Sequence, residues 1–150
     1  MSTLATQDFR RSQLRSTLND EGGMSKIYDH PERSDLRIKK PRESDMRDEF
    51  IHEAQISQEL QGPFIQSSQG YCSDGTCLYQ KCPKGDLKKV LNSCSIDVEQ
   101  KVLWCKQILE GHKQIVDKNY AHGDYKPPNF LIDDDFNIKI NDFGGSCKLV

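Results

Sequence analysis

The sequence predicts an α+β fold, and three observations carry the prediction. Residues 96–118 repeat apolar side chains at 4-3-4-3 spacing, the pattern of a long amphipathic helix. Phe130-Leu131-Ile132 and Ile138-Lys139-Ile140 are short apolar runs on either side of Asp133-Asp134-Asp135, which reads as a hairpin with an acidic turn. Residues 36–41 alternate like a strand, and a second helical pattern follows them. A length of 150 residues is that of one ordinary domain with room for a core. Charged residues make up 29% of the chain with mixed signs and a net charge of −2, so no basic stripe addresses nucleic acid. No apolar run nears the roughly 18 residues of a membrane span, and the N-terminus lacks the apolar core of a secretory signal, so the chain reads as soluble. Cys72, Cys77, Cys82, Cys94, Cys105 and Cys147 form no C-x-x-C pair and have no histidine at zinc-finger spacing. Scattered reduced thiols of a cytosolic protein account for them.

In chain order, residues 1–13 form a polar leader without periodicity. Residues 18–28 read as a hairpin with Gly22 and Gly23 at its tip. In the strand at 36–41, alternation puts Arg37 and Lys39 on one face and Ile38 and Lys40 on the other. Ser44 or Asp45 can cap the helix behind it, Asp48 and Glu49 suit its positive end, and Gly62-Pro63 stops it. Its stripe of Met46, Phe50, Glu53, Ser57 and Leu60 contains a carboxylate, which calls for a cation to meet it. Phe64-Ile65-Gln66 and residues 76–80 read as two more strands, joined by a turn containing Asp74-Gly75.

The long helix carries Val98, Val102, Cys105, Leu109, His112 and Val116 in one row, widened by Trp104, Ile108 and Ile115. Ser95 can cap it, Asp97 and Glu99 fall in its first turn, and Asn119 can close it in a left-handed conformation. His112 lacks companion ligands and is expected to be a packed histidine.

The chemistry concentrates in His122-Gly123-Asp124-Tyr125-Lys126-Pro127-Pro128-Asn129, followed by the hairpin and by Asp142-Phe143-Gly144. This order, H-x-D-x-x-x-x-N, strand, turn, strand, D-F-G, resembles the catalytic loop and magnesium-binding motif of protein kinases. The resemblance spans roughly residues 18–146. It implies a protein kinase-like two-lobe fold: a five-stranded antiparallel N-lobe with its helix over 14–82, and a much reduced helical C-lobe over 83–150. It also implies roles. Asp124 would orient a substrate hydroxyl and accept its proton, and Lys126 would meet the transferred phosphoryl group. Asn129 and Asp142 would hold Mg²⁺. Lys39, paired with Glu53, would grip the α- and β-phosphates of ATP; a one-residue shift offers Lys40 instead, with Ile38 in place of Arg37 over the adenine. Gly22, Gly23 and Ser25 would belong to a worn Gly-rich loop over the phosphates, with Asp20 and Ser25 where its outer glycines stand. Tyr79 would be the gatekeeper behind the adenine. Backbone groups of Gln80, Lys81 and Cys82 would meet its edge, since an extended hinge leaves N–H and C=O groups unpaired. Cys82-Pro83-Lys84-Gly85-Asp86-Leu87 resembles the entry to the larger lobe.

Two departures shape the implied function. Gly123 stands where such kinases carry an Arg that receives a regulatory phosphate; H-G-D also occurs in small-molecule kinases, while Lys126-Pro127 resembles the Ser/Thr class. Only six residues follow Gly144, so the apolar row of the long helix is expected to lack cover, which a partner protein could supply. The resemblance therefore implies a minimal Ser/Thr-type protein kinase moving the γ-phosphoryl of ATP to a protein hydroxyl. Its economy is similar to that of bacterial secreted effector kinases, which places it in the cytoplasm or inside a host cell. The alternatives are a silent pseudokinase or kinase fragment acting as a binding module, and a small-molecule phosphotransferase.

Overall fold

The computed structural model describes residues 18–21 and 25–149. The polar leader, the tip glycines Gly22 and Gly23, and Val150 lie outside the described residues. The chain divides into two compact units, Met1–Gln58 with Ser68–Lys81, and Glu59–Ser67 with Cys82–Val150.

The first unit is an antiparallel sheet of β1 (Leu18–Glu21), β2 (Ser25–Asp29), β3 (Leu36–Pro41), β4 (Ser68–Tyr71) and β5 (Cys77–Gln80), in the order β1-β2-β3-β5-β4. The sheet has the five strands that the motif resemblance implies. Alternation in β3 buries Leu36 and Ile38 and leaves Arg37 and Lys39 half-buried on the opposite face. Register sets Asp29 and Tyr79 opposite Arg37, and Ile27 and Cys77 opposite Lys39. Helix α1 (Arg47–Glu59) is entered through a 3₁₀ turn, Ser44–Met46. Ser44 and Asp45, the expected caps, lie inside that turn, and Glu43 takes the extended capping position ahead of it without a side-chain bond. Asp48 and Glu49 instead complement the exposed N–H groups of the first turn by charge.

The stripe of α1 packs as its spacing predicts, with Phe50, Glu53 and Ser57 buried and Ala54 and Ile56 added. Phe50 and Ala54 form one core with Cys77 and Tyr79, and Met46 packs against it. Ser57 is no misfit in this stripe: its hydroxyl donates to the Ala54 carbonyl at 3.0 Å and accepts the Ser68 N–H at 3.0 Å.

The strand expected at Phe64-Ile65-Gln66 from its apolar character is not part of this sheet; the strand is the polar Ser68–Tyr71. The apolar residues belong to the second unit instead. There Ile65 bridges Ile140, with Ile140 N–H on Phe64 O at 2.8 Å and Gln66 N–H on Ile140 O at 2.9 Å. Burial decides the assignment, because Ile65 and Ile140 are both fully covered in that position.

The second unit holds α2 (Leu87–Ser93), α3 (Val98–Asp117), the hairpin of β7 (Phe130–Ile132) and β8 (Ile138–Ile140), and a short pair of β6 (Tyr120–Ala121) with β9 (Cys147–Lys148). The hairpin forms where the apolar runs predict it, with Asp133 Oδ1 accepting the N–H groups of Asp135 and Asn137 to fix the turn. Helix α3 starts at Val98, later than residue 96, and is capped by Asp97, not Ser95: the Asp97 carboxylate accepts Gln100 N–H at 2.8 Å. Asn119 ends it at φ 62, as expected for a residue that tolerates the left-handed region.

The packed face of α3 is Trp104, Gln107, Gly111 and Ile115. Gln107 Oε1 accepts the Ile138 N–H and its Nε2 donates to Asn137 Oδ1, so a polar side chain serves the hairpin at the core. Gly111 lets β8 approach: a Cβ there would lie 2.7 Å from Ile140 Cδ1. The row Val98, Val102, Cys105, Leu109, His112 and Val116 faces outward; Val98 is 70% and Leu109 67% exposed. His112 goes outward with it and packs at the surface, edge-on to the Tyr125 ring at 5.4 Å.

Candidate active site

Each unit holds one group of the motif residues. In the first, the Lys39 ammonium lies 3.2 Å from Glu53 Oε1 and 3.4 Å from Oε2. Strand register and helix stripe produce this meeting, since Lys39 shares its sheet face with Cys77 and Tyr79, on which α1 packs. Glu53 is nearly buried and Lys39 largely so, at 8% and 20% side-chain exposure, so each charge answers the cost of burying the other. Lys39 also sits 5.2 Å from the Phe50 ring centre and 5.9 Å from that of Tyr79, a cation held over two aromatic faces. It is Lys39, and not Lys40, that makes the Glu53 pair. Ser25 is buried at the start of β2, while Gly22 and Gly23 fall outside the described residues.

The second group is built by backbone geometry. His122 is buried, its Nδ1 accepts Asp124 N–H at 3.1 Å, and its Nε2 therefore carries the ring proton to Asn141 O at 2.8 Å. Gly123, between them, has φ 83, a left-handed conformation that suits glycine, and a Cβ there would meet Gly145 O at 3.2 Å. Asn129 closes a 3₁₀ turn, Pro127–Asn129, in which the prolines preset the backbone. Its Nδ2 donates to Asp124 O at 2.8 Å and to Asp124 Oδ2 at 3.0 Å. Lys126 Nζ lies 3.4 Å from the same Oδ2. Asn141 N–H closes the loop on Asn129 O at 2.9 Å, which sets Asp142 one residue from Asn129's own backbone partner. Asp142 has φ 61, tolerable for aspartate, and its Oδ1 faces Gly144 N–H at 3.4 Å.

Asp124, Asn129 and Lys126 are thus brought together, and Asp142 follows the residue whose N–H bonds to Asn129 O. Phe143 is buried edge-on to His122, their ring centres 5.2 Å apart. Tyr125, which the sequence did not single out, stacks on His122 at 4.8 Å, and its hydroxyl meets His112 Nδ1 at 2.8 Å. Partial burial raises the Tyr125 phenol above its ordinary pKa. An aromatic placed between two charged motif residues was the available signal.

The expected hinge differs from the row of unpaired backbone groups that the sequence suggested. Lys81 N–H donates to Asp35 O at 2.8 Å, and Cys82 O accepts Gly85 N–H at 3.1 Å. Tyr79 is buried in β5, opposite Arg37. Helix α2 was missed altogether, although Asp86 ahead of Leu87-Lys88-Lys89-Val90 is a helix-start signal: the Asp86 carboxylate accepts Lys89 N–H at 2.9 Å.

A strand lysine paired with a helix glutamate, and an Asp–Asn pair laced to a hairpin that ends in Asp-Phe-Gly, define a protein of the kinase class. The model of the protein kinase domain matches residues 22–150, and the chain belongs to that family. It is similar to the serine/threonine-protein kinase ppk24, mitochondrial, of Schizosaccharomyces pombe, 41% identical over 75 residues, which cover 49% of this chain and 16% of that protein. It is similar to the L-type lectin-domain containing receptor kinase V.9 of Arabidopsis thaliana, 31% identical over 94% of this chain and 23% of that protein. The cytoplasmic tyrosine-protein kinase BMX of Mus musculus is 28% identical over 87% of this chain and 21% of its own length. The chain thus spans about a quarter or less of the length of these relatives. They include serine/threonine and tyrosine kinases, so similarity alone does not choose the acceptor hydroxyl. No helix among the described residues is long and apolar enough to cross a membrane.

Proposed function

We propose that this chain is an ATP-dependent protein kinase of the serine/threonine type. The observation that carries the reading is the Asp124–Asn129 pair. Asn129 Nδ2 spends its donors on Asp124, which presents Asn129 Oδ1 as a hard oxygen ligand and fixes the carboxylate that faces a substrate hydroxyl. Asp124 is the base that orients the hydroxyl and takes its proton, and Lys126 places a positive charge beside it. Lys39, steadied by Glu53, holds phosphate oxygens.

Asn129 and Asp142 supply oxygen donors of the kind Mg²⁺ takes, and a bound Mg²⁺ would neutralise phosphate charge. Lys126-Pro127, resembling the serine/threonine class, supports the choice of acceptor.

Incubation with γ-labelled ATP, Mg²⁺ and generic protein substrates tests the reading. Label on serine and threonine, lost in Asp124→Ala and Asp142→Ala, is expected. Transfer that survives both substitutions contradicts it, and a folded chain that transfers nothing favours the binding module.

A further inference from the structure

His122 is held at both ring nitrogens, Nδ1 by the Asp124 N–H at 3.1 Å and Nε2 by Asn141 O at 2.8 Å. Both bonds lie near the plane of the imidazole, so neither stops the ring from tipping about the line that joins its nitrogens. A neighbour lying flat on the ring does. Tyr125 supplies one: its phenol stacks on the imidazole with centroids 4.8 Å apart and 17° between the planes.

Tyr125 is itself 41% exposed, and an exposed phenol keeps its rotamer freedom unless something holds it. Two groups hold this one. The Phe130 ring, buried at the start of β7, lies 5.9 Å away and within 27° of parallel. The hydroxyl meets His112 Nδ1 at 2.8 Å, with the two rings edge to face. His112 directly follows Gly111, where α3 comes down on Ile140, so the tether starts from a fixed point of the helix. One member of the outward row of α3 thus has a polar task that its apolar neighbours do not share.

We propose that Tyr125 is a positioning residue for the transfer step, bracing the His122 imidazole and through it Asp124, with His112 as its anchor on α3. An imidazole that cannot tip keeps its Nδ1 lone pair on the Asp124 N–H. That bond fixes the backbone from which the carboxylate reaches Asn129 Nδ2 and Lys126 Nζ. The role does not require Tyr125 to touch the nucleotide or the acceptor. The inference rests on the kinase reading above, in that Asp124 is taken as the base.

The test is steady-state transfer from Mg-ATP to a generic protein substrate by the whole chain, with folding of each variant checked by circular dichroism. Tyr125→Leu fills the space without a flat ring. It is expected to lower kcat by about 10- to 100-fold, with KM for ATP and for the protein within about twofold of the wild type. Tyr125→Phe keeps the stack and is expected to recover all but about 3-fold of kcat. His112→Ala removes the anchor alone and should match Tyr125→Phe, and the double variant should be no slower than either single one. Should Tyr125→Leu fold poorly, Tyr125→Phe, His112→Ala and their double variant decide. Unchanged kcat in a folded Tyr125→Leu, a loss that Tyr125→Phe does not recover, or a rise in either KM as large as the fall in kcat overturns this proposal. So do losses in Tyr125→Phe and His112→Ala that multiply in the double variant. Each of these leaves the kinase reading standing, whereas a wild-type chain that transfers nothing overturns both.

Discussion

In the first unit, one ion pair joins Lys39 to Glu53 across 14 residues of sequence, from a strand to a helix. In the second, His122, Asp124, Asn129 and Asn141 are laced together within 19 residues, largely through backbone groups. The pair has no reserve: losing either member leaves the other charge in a mostly covered position. The loop is redundant, since Asp124 is held by its own N–H, its carbonyl and its carboxylate. Substitutions in the loop should therefore cost activity with little stability, and substitutions in the pair should cost both.

The sharpest form of that contrast is Asp124→Asn against Glu53→Ala. Asp124→Asn is expected to lower kcat by about a thousandfold, as removal of a positioned base does, while the melting temperature moves little. Glu53→Ala is expected to lower kcat/KM by about tenfold or more and to cost about 2 kcal/mol, because Lys39 is left unpaired beside Phe50 and Tyr79. Equal thermal stability of the two variants would break the comparison. A purely structural control follows in Gly111→Ala, which drives a methyl toward Ile140 Cδ1 and should cost about 2 kcal/mol in thermal unfolding, with kcat unchanged in the folded fraction.

The smallest effect concerns pH. Burial pushes the Cys77 thiol up to about 12 from an ordinary value of 9.0. Raised in the folded state, it contributes stability that is fully present below pH 9.0 and is lost as pH rises toward 12. Cys77→Ser should flatten that alkaline decline, and iodoacetamide at pH 8 should label the exposed Cys94, Cys105 and Cys147 well before Cys77.

What the sequence disclosed follows the same division. The loop was legible because its contacts are local: His122, Asp124 and Asn129 act at fixed offsets, and the hairpin's apolar runs announce themselves. The Lys39–Glu53 pair was legible only through alternation in β3 joined to the stripe in α1. Where placement depended on tertiary competition, local signals misled. Phe64-Ile65-Gln66 looks more strand-like than Ser68-Gln69-Gly70-Tyr71, but Ile65 packs with Ile140 and leaves the sheet to the polar segment. In α3 two rows compete, and the buried one contains Gln107 and Gly111, which hydropathy ranks low. Hydrogen bonding to Ile138 and close approach to Ile140 decide for it. The cap of α3 shifted for a related reason: Asp97 outcompetes Ser95 by accepting an N–H three residues on.

The most direct test of the central claim, that Asn129 and Asp142 handle the metal of a nucleotide while Lys39 handles its phosphates, is the magnesium dependence of ATP binding. Titrations of ATP with Mg²⁺ and with EDTA into the wild type, Asp142→Ala and Lys39→Ala separate the two roles. The predicted result is tighter binding with Mg²⁺ in the wild type, loss of that difference in Asp142→Ala, and uniform weakening with the difference retained in Lys39→Ala. ATP binding that is indifferent to Mg²⁺ in the wild type, or an Asp142→Ala variant that keeps the full magnesium effect, would contradict it.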